Sequence, residues 1–362
     1  MSIARRGTPG RVGRVGLLFG GPSNEHEVSL VSARGVAAAL RQTSLEWFPL
    51  AVTAEGCWLS PQRSMEILES DDRQATSAAD DSRLVFAPGS EGDPVRLIDD
   101  RGAQSVIELD VVFPLIHGWG GEDGRLQGML DWCGIRCVGS GLLGSAVGMD
   151  KAIARRLFES AGLDVGPWVE LRADEIDAEA IRRVTSRLPA PWFVKPACGG
   201  SSIGIRKVEH ASELDDALRY AASFDDKILV ELGLTAREIE CAVLGNETPR
   251  CADAIGEIHA SAAFYDYEAK YESGDSRLDI PADLPVEVAS RLRDAAIRAY
   301  RVLGLTGYAR VDFLVEPDFG HLWVNEVNTL PGFTPISMFP KLWEASGLAY
   351  PALIEELVRL AR

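Results

Sequence analysis

Three observations predict an α/β fold of two or three domains. A short apolar strand near the start runs into glycines and then a helix, a second strand near residue 111 feeds a glycine loop and another helix, and two adjacent strands lie close to the end. The 362 residues exceed one domain of ~150 residues, and a 46% hydrophobic, 25% charged chain can bury a sizeable core. Collagen-like, mucin-like and wholly disordered classes are excluded, because such compositions cannot supply a packed interior. With 37 basic against 54 acidic residues and a net charge of −17, no global basic field exists to bind nucleic acid. A few local lysines and backbone amides can still hold a phosphate.

The elements follow in order. Residues 14–20 read as a strand, PSNEHE as its turn, and Val28 to Leu40 as the helix that completes an α/β opening. From Ser60 to Gln104 the chain turns polar, with paired aspartates and many Ser, Gly and Pro, and is expected to be a surface insertion. VVFPLIHG (111–118) is a second strand whose glycine loop enters a helix. A helix from Asp150 stops near Gly162, and WFVKPACGGSSIGIRKV (192–208) gives two strands joined by small residues. Ser212 with Asp215 is expected to cap a further helix. KILVELGL (227–234) is a strand ending in a hinge, REIECAVL (237–244) alternates as a half-buried strand does, and 285–303 is an amphipathic helix. Strands at 308–315 and 321–328 form a hairpin.

Six cysteines in so long a chain read as reduced, mostly buried thiols; Cys133 and Cys137 have no Cys or His cluster nearby to complete a zinc site. Arg5, Arg6, Arg11 and Arg14 imitate the start of a signal peptide, but the apolar stretch after them is too short. No segment approaches the ~20 apolar residues of a membrane span. The expectation is a soluble, cytoplasmic protein without a membrane partner.

Four constellations bear chemistry. In the C-terminal hairpin, residues two apart share a face, so Arg310, Asp312 and Leu314 point one way, and Glu326 with Asn328 share a face opposite Trp323 and Val327. If these faces pair, Asp312, Glu326 and Asn328 converge as hard oxygen donors suited to Mg²⁺; otherwise they are the polar side of an ordinary hairpin. Lys195 followed by Pro-Ala-Cys-Gly-Gly-Ser-Ser-Ile-Gly204 can close backbone amides over phosphate oxygens. Gly200–Gly204 also fits G-x-S-x-G with Ser202 as nucleophile, yet that hydrolase motif needs a helix directly after the serine, and a strand follows here. Gly139–Gly144 fits G-x-G-x-x-G, the basis of a rival nicotinamide-dependent reading, but Gly148 and the Asp150 cap are expected to interrupt the helix it requires. Glu25 and His117 stand in loops just past strands, where they either bind a small zwitterion or stabilise the loops. The aromatics of 264–271 form a lid or pack at a domain edge.

Together these segments resemble the D-alanine–D-alanine ligases of the ATP-grasp superfamily from Val15 to about Leu357. The matching pieces are FGGPSNEHEVSLVSA, HGWGGEDGRLQGML, GMDK, FVKPACGGSSIG, REIECAV, GEI…FYDYEAKY, ARVDF and NEVNTLPGFTPISMFP. The resemblance implies an ATP-grasp fold of three subdomains: a Rossmann-like substrate-binding part (1–139), a central part (140–232) and a C-terminal part with the metal site (233–362). ATP would lie between the second and third. Lys151, Lys195 and Lys270 would serve ATP, Glu231 and Leu234 would face adenine, and Glu238 would hold the ribose. Asp312, Glu326 and Asn328 would bind two Mg²⁺ (or Mn²⁺). Glu25, linked to Ser201 and Tyr271, would hold the ammonium of the first D-alanine beside His117. Arg310 and the Gly332 N–H would stabilise the oxyanion, and Ser337 would take the second carboxylate. In this family a tyrosine at Tyr271 goes with dipeptide formation and a phenylalanine with D-alanyl-D-lactate. The implied activity is synthesis of D-alanyl-D-alanine for peptidoglycan, with D-lactate, D-serine or another amino acid as alternative second substrates and a homodimer as the assembly. Cys198 and Leu232-Gly233 depart mildly from the family pattern.

Overall fold

β1 (Val15–Gly20) is buried along its whole length, as a parallel strand covered on both faces must be. Gly20 and Gly21, with φ of 89° and 90°, turn the chain into α1 (His26–Leu40). β2 (Trp47–Val52) and α2 (Pro61–Glu69) follow, then the short strands β3 (Ser82–Val85), β4 (Val95–Asp99) and β5 (Gln104–Ile107). β6 (Val111–Pro114), α3 (Arg125–Trp132) and β7 (Arg136–Cys137) complete the first third. This computed structural model describes residues 13–70, 82–85, 95–99, 104–107, 109–259 and 277–362.

The first sheet runs β2-β1-β6-β7, all parallel. Its order reverses at β1, so the loops after β1 and β6 open a crevice at the carboxyl ends of neighbouring strands, where parallel sheets bind ligands. The polar stretch after Ser60 does not start as a loop. Ser60 caps α2 by accepting from the Arg63 N–H at 3.2 Å, with Pro61 at the first helical position. Ile67 is buried, and the Ser64 hydroxyl accepts from the Ala51 N–H at 2.8 Å. β3, β4 and β5 make a small antiparallel sheet of their own.

α4 (Leu142–Met149), α5 (Lys151–Ser160), β8 (Trp168–Arg172), α6 (Ala178–Arg187), β9 (Trp192–Pro196), β10 (Arg206–Val208), α7 (Leu214–Ala222) and β11 (Lys227–Leu232) come next. Their antiparallel sheet, β10-β9-β11-β8, packs against α6 and α7 through Val184, Leu218 and Ile228. Ser212 is not the cap of α7. A short 3-10 turn, Ala211–Glu213, precedes the helix, and the Glu213 carboxylate accepts from the Glu209 and His210 N–H groups instead. Gly148 does not interrupt α4 either; the helix ends at Asp150, which caps α5. A Cβ at Gly148 would lie 2.7 Å from the Thr329 methyl, so this glycine serves close packing.

The last third comprises β12 (Arg237–Leu244), β13 (Arg250–Cys251), β14 (Gly256–His259), β15 (Arg277–Asp279), α8 (Val286–Val302), β16 (Tyr308–Val315), β17 (Leu322–Asn328), α9 (Met338–Ala345) and α10 (Tyr350–Leu360). Its sheet runs β15-β14-β12-β16-β17. Along β16 and β17, Asp312 stands opposite Glu326 and Arg310 opposite Asn328, but the next pairs are Phe313–Val324 and Leu314–Trp323. Asn325 is therefore an extra residue, a bulge. It shifts the alternation, so Trp323 stands opposite Leu314 rather than on the face away from Glu326. The end of the chain returns to the beginning. Phe333, Phe339, Trp343 and Leu353 share one core with Leu17, Phe19 and Val36, and the Cys137 N–H donates to the Arg362 carbonyl at 2.9 Å.

Candidate active site

The three larger sheets, with the loops that leave them, contribute to one cleft of about 660 Å³. Glu25, His117, Lys151, Lys195, Ser201, Glu231, Leu234, Glu238, Arg310, Asp312, Glu326, Asn328, Gly332 and Ser337 all line it. Lys270 and Tyr271, with the whole 264–271 segment, lie outside the described residues.

Glu25 sits at the crevice of the parallel sheet, buried, and accepts a hydrogen bond from the Ser201 hydroxyl. Ser201 and Ser202 hold positive φ of 48° and 59°, a conformation that costs energy outside glycine and turns the small-residue loop over Glu25. No helix follows Ser202; the chain passes through a turn to β10, so the hydrolase geometry is absent there. A Cβ at Gly118 would come within 2.7 Å of the Glu25 carboxylate, which makes a glycine necessary beside it.

His117 is buried at the floor. Its Nδ1 donates to the Leu330 carbonyl at 3.0 Å and lies 3.4 Å from Glu122 Oε1, while Nε2 meets the Ser32 hydroxyl at 3.3 Å. The same hydroxyl accepts from the Phe333 N–H at 3.2 Å. Burial opposes the charged ring, but the hydrogen bond and charge of Glu122, helped by Glu25, outweigh it and hold His117 above its ordinary value. Glu122 is itself pushed up, by burial and then by Glu25 against the pull of His117. Glu122 and Ser32 were not singled out from sequence; only their place inside the two loop motifs signalled them.

On the central sheet, Lys195 Nζ lies 2.7 Å from Glu231 Oε1, and Arg155 reaches the same oxygen at 2.8 Å. Burial draws the Lys195 ammonium below the usual lysine range, with Glu231 opposing the shift. Burial disfavours charge on Glu231 too, yet Arg155 and Lys195 prevail and keep its carboxyl below the usual range. Glu231, at the end of β11, lines the cleft while its carboxylate holds the two buried cations. Leu234 and Glu238 lie along the hinge edge of the cleft. Lys151 Nζ donates to the Gly199 carbonyl at 2.6 Å and stands 3.5 Å from Glu326.

Opposite them, Arg310 grips Asp312 through two bonds of 2.7 Å and stands 3.2 Å from Glu240. Burial weakens its charge, but Asp312 and then Glu240 outweigh that and hold the guanidinium firmly charged. Asp312 and Glu326 face each other across the bulge, and Asn328 Oδ1 accepts from the Leu330 N–H at 3.0 Å. These donors are all oxygen, and each retains lone pairs beyond the bonds described, so the set fits a hard divalent cation. A Cβ at Gly332 would lie 2.9 Å from Ser337 Oγ. Ser337 Oγ accepts from the Thr334 N–H at 3.0 Å and meets the Thr334 hydroxyl at 2.8 Å. All six cysteines are free, but against the expectation of mostly buried thiols only Cys137 and Cys241 are buried, and Cys198 is exposed in the loop after Lys195; burial pushes the Cys137 thiol up to about 12.

Comparison with known proteins extends over nearly all of the chain. The family model "D-ala D-ala ligase N-terminus" matches residues 14–140, and "D-ala D-ala ligase C-terminus" matches residues 157–359. D-alanine–D-alanine ligase A of Chromobacterium violaceum is 45% identical over 350 residues, covering 96% of this chain and 94% of the relative. D-alanine–D-alanine ligase A of Salmonella typhimurium is 43% identical over 349 residues, covering 96% and 95%. Among solved structures, the VanG D-Ala:D-Ser ligase of Enterococcus faecalis aligns with a TM-score of 0.83 at 33% identity, covering 96% of this chain and 99% of that one. The D-alanine–D-alanine ligase of Coxiella burnetii aligns with a TM-score of 0.81 at 31% identity, covering 96% and 93%. With both halves matched and such relatives spanning it, the chain belongs to the D-alanine–D-alanine ligase family.

Proposed function

We propose that this protein joins two D-alanine molecules into D-alanyl-D-alanine at the expense of ATP, as an ADP-forming ligase that supplies peptidoglycan precursor. The observation that carries the reading is one cleft in which the Glu25–Ser201 pair faces buried cations and a cluster of oxygen donors. A carboxylate resists attack by an amine, because oxide is a poor leaving group. Phosphoryl transfer from ATP to the first D-alanine makes an acylphosphate, whose carbonyl the second amine attacks as phosphate departs.

Each residue then has a task. Glu25, steadied by Ser201, pairs with the ammonium of the first D-alanine, with His117 beside it. Lys151 and Lys195 receive the phosphates, and an arriving polyanion offsets the burial that disfavours the Lys195 charge. Glu231 and Leu234 lie on the hinge facing adenine, Glu231 also holding Lys195 in place, and Glu238 holds the ribose. Asp312, Glu326 and Asn328 would hold two Mg²⁺ (or Mn²⁺), which supply charge neutralisation of the phosphates. Arg310 and the Gly332 N–H stabilise the oxyanion of the tetrahedral step, and Ser337 receives the second carboxylate. Lys270 would join the nucleotide contacts, and Tyr271 would join Glu25 and Ser201.

We place this chemistry in the cytoplasm, in a homodimer that binds neither nucleic acid nor membrane. No helix among the described residues is long and apolar enough to cross a bilayer. Phosphate release with ATP, Mg²⁺ and D-alanine tests the activity. Release that depends on D-alanine supports it, and none refutes it. A second reading, a different second substrate, is favoured by the likeness to a D-Ala:D-Ser ligase; mass spectrometry of the product formed from mixed D-alanine, D-serine and D-lactate decides between them.

A further inference from the structure

Acids outnumber bases around the cleft, and its cations are nearly all engaged. Lys151 stands beside Glu326, Lys195 is paired with Glu231, and Arg310 is shared between Asp312 and Glu240. Lys341 differs. It is half-buried, it lines the same cleft, and it forms no ion pair among the described residues. It also lies in the first turn of α9, four residues after Ser337, the residue that precedes the helix as its N-cap, and both line the cleft.

The second substrate needs such a cation. To attack an acylphosphate it must present a neutral amine, so its carboxylate leaves it a net anion. Entry into a cleft rimmed by Glu25, Glu122, Glu240 and phosphate is then costly without local positive charge. Ser337 offers a hydroxyl but no charge. We propose that Lys341 is the residue that selects the nucleophilic substrate by its carboxylate, completing a site that Ser337 begins. The inference rests on the ligase reading and extends it. Lys341 takes no part in making the acylphosphate; it decides which amine reaches it. Nucleophiles that keep a carboxylate profit from it, and carboxylate-free ones do not.

Lys341→Met tests this, with two nucleophiles in parallel. Dipeptide formation is followed against D-alanine concentration at saturating ATP, and capture of the acylphosphate by hydroxylamine, which has no carboxylate, is followed as the hydroxamate. Loss of a charged hydrogen bond is expected to raise the apparent KM for the second D-alanine about 10- to 100-fold, with kcat, the KM for ATP and the hydroxamate rate each kept within about threefold. Lys341→Arg restores most of the affinity. The proposal is overturned if the second KM moves less than about twofold, or if dipeptide and hydroxamate fall together. Wild-type protein inactive with both nucleophiles overturns the ligase reading itself.

Discussion

Arg310 shows how one side chain can serve both fold and reaction. Its guanidinium neutralises Asp312 and Glu240 in a buried setting, and the same charge faces the cleft where, in the proposed reaction, an oxyanion would develop. Arg310→Ala is expected to lower kcat by about 10²–10³, as for a lost oxyanion donor, with little change in the KM for ATP; steady-state phosphate release measures both, and an unaltered kcat rules out the role. His117 offers a different residue-scale test. Its folded-state value lies above the ordinary imidazole value because the Glu122 hydrogen bond and charge outweigh burial. A raised value means that the protonated ring stabilises the fold fully below its ordinary value, ~6.5, and that this contribution is lost as pH climbs through the raised one. The stability gap between wild type and His117→Gln should therefore be wide at about pH 6 and narrow by about pH 9. Urea unfolding across that range checks the sign, and a gap that widens with pH contradicts it.

Among the elements, the β16–β17 ribbon carries the clearest lesson. Alternation alone predicted that Asp312, Glu326 and Asn328 share a face, and the pairing of Asp312 with Glu326 agrees. Alternation failed beyond the bulge, where Trp323 changes sides. The one hint was the polar doublet Asn325-Glu326, which breaks a period of two. Deleting Asn325 keeps Asp312 opposite Glu326 and Phe313 opposite Val324 while removing the bend that aims Glu326. The expected result is a protein that folds but whose kcat falls about 10²-fold through misplaced ligands; an unfolding midpoint near wild type together with that fall would separate aim from stability. Other elements were legible for similar local reasons. The Asp150 cap of α5 and the apolar spacing of α8 are each set by residues only a few positions apart in the sequence. Ser212 does not cap α7 because it sits inside the 3-10 turn Ala211–Glu213, one residue short of the position that precedes Leu214. The pairs Glu231–Lys195 and Glu122–His117 differ in kind. Glu231 and Lys195 meet only because β11 and β9 pair, a contact that no single-strand pattern encodes.

At the scale of the whole molecule, the cleft depends on a chain that closes on itself. α9 and α10 pack into the core begun by β1 and α1, so the Gly332–Ser337 loop is anchored to the parallel sheet, while the oxygen donors are carried by the antiparallel one. Gly307 permits part of this arrangement, since a Cβ there would come within 2.8–3.0 Å of the Gly139 backbone. A ligand spanning such a cleft binds only when the three sheets that border it are in place, so binding free energy becomes folding free energy. A non-hydrolysable ATP analogue with Mg²⁺ at about 100 times its dissociation constant should raise the unfolding free energy by about 2.7 kcal/mol. Asp312→Asn should erase most of that increment by removing a charged oxygen from the proposed metal-binding set. The variant also frees Arg310 from one partner, so its stability without ligand will shift as well. The decisive quantity is therefore the difference made by the ligand within each protein, not the midpoints themselves. Equal increments in wild type and variant would mean that nucleotide binding does not use this face of the ribbon, and the roles assigned to Glu326 and Asn328 would fall with it.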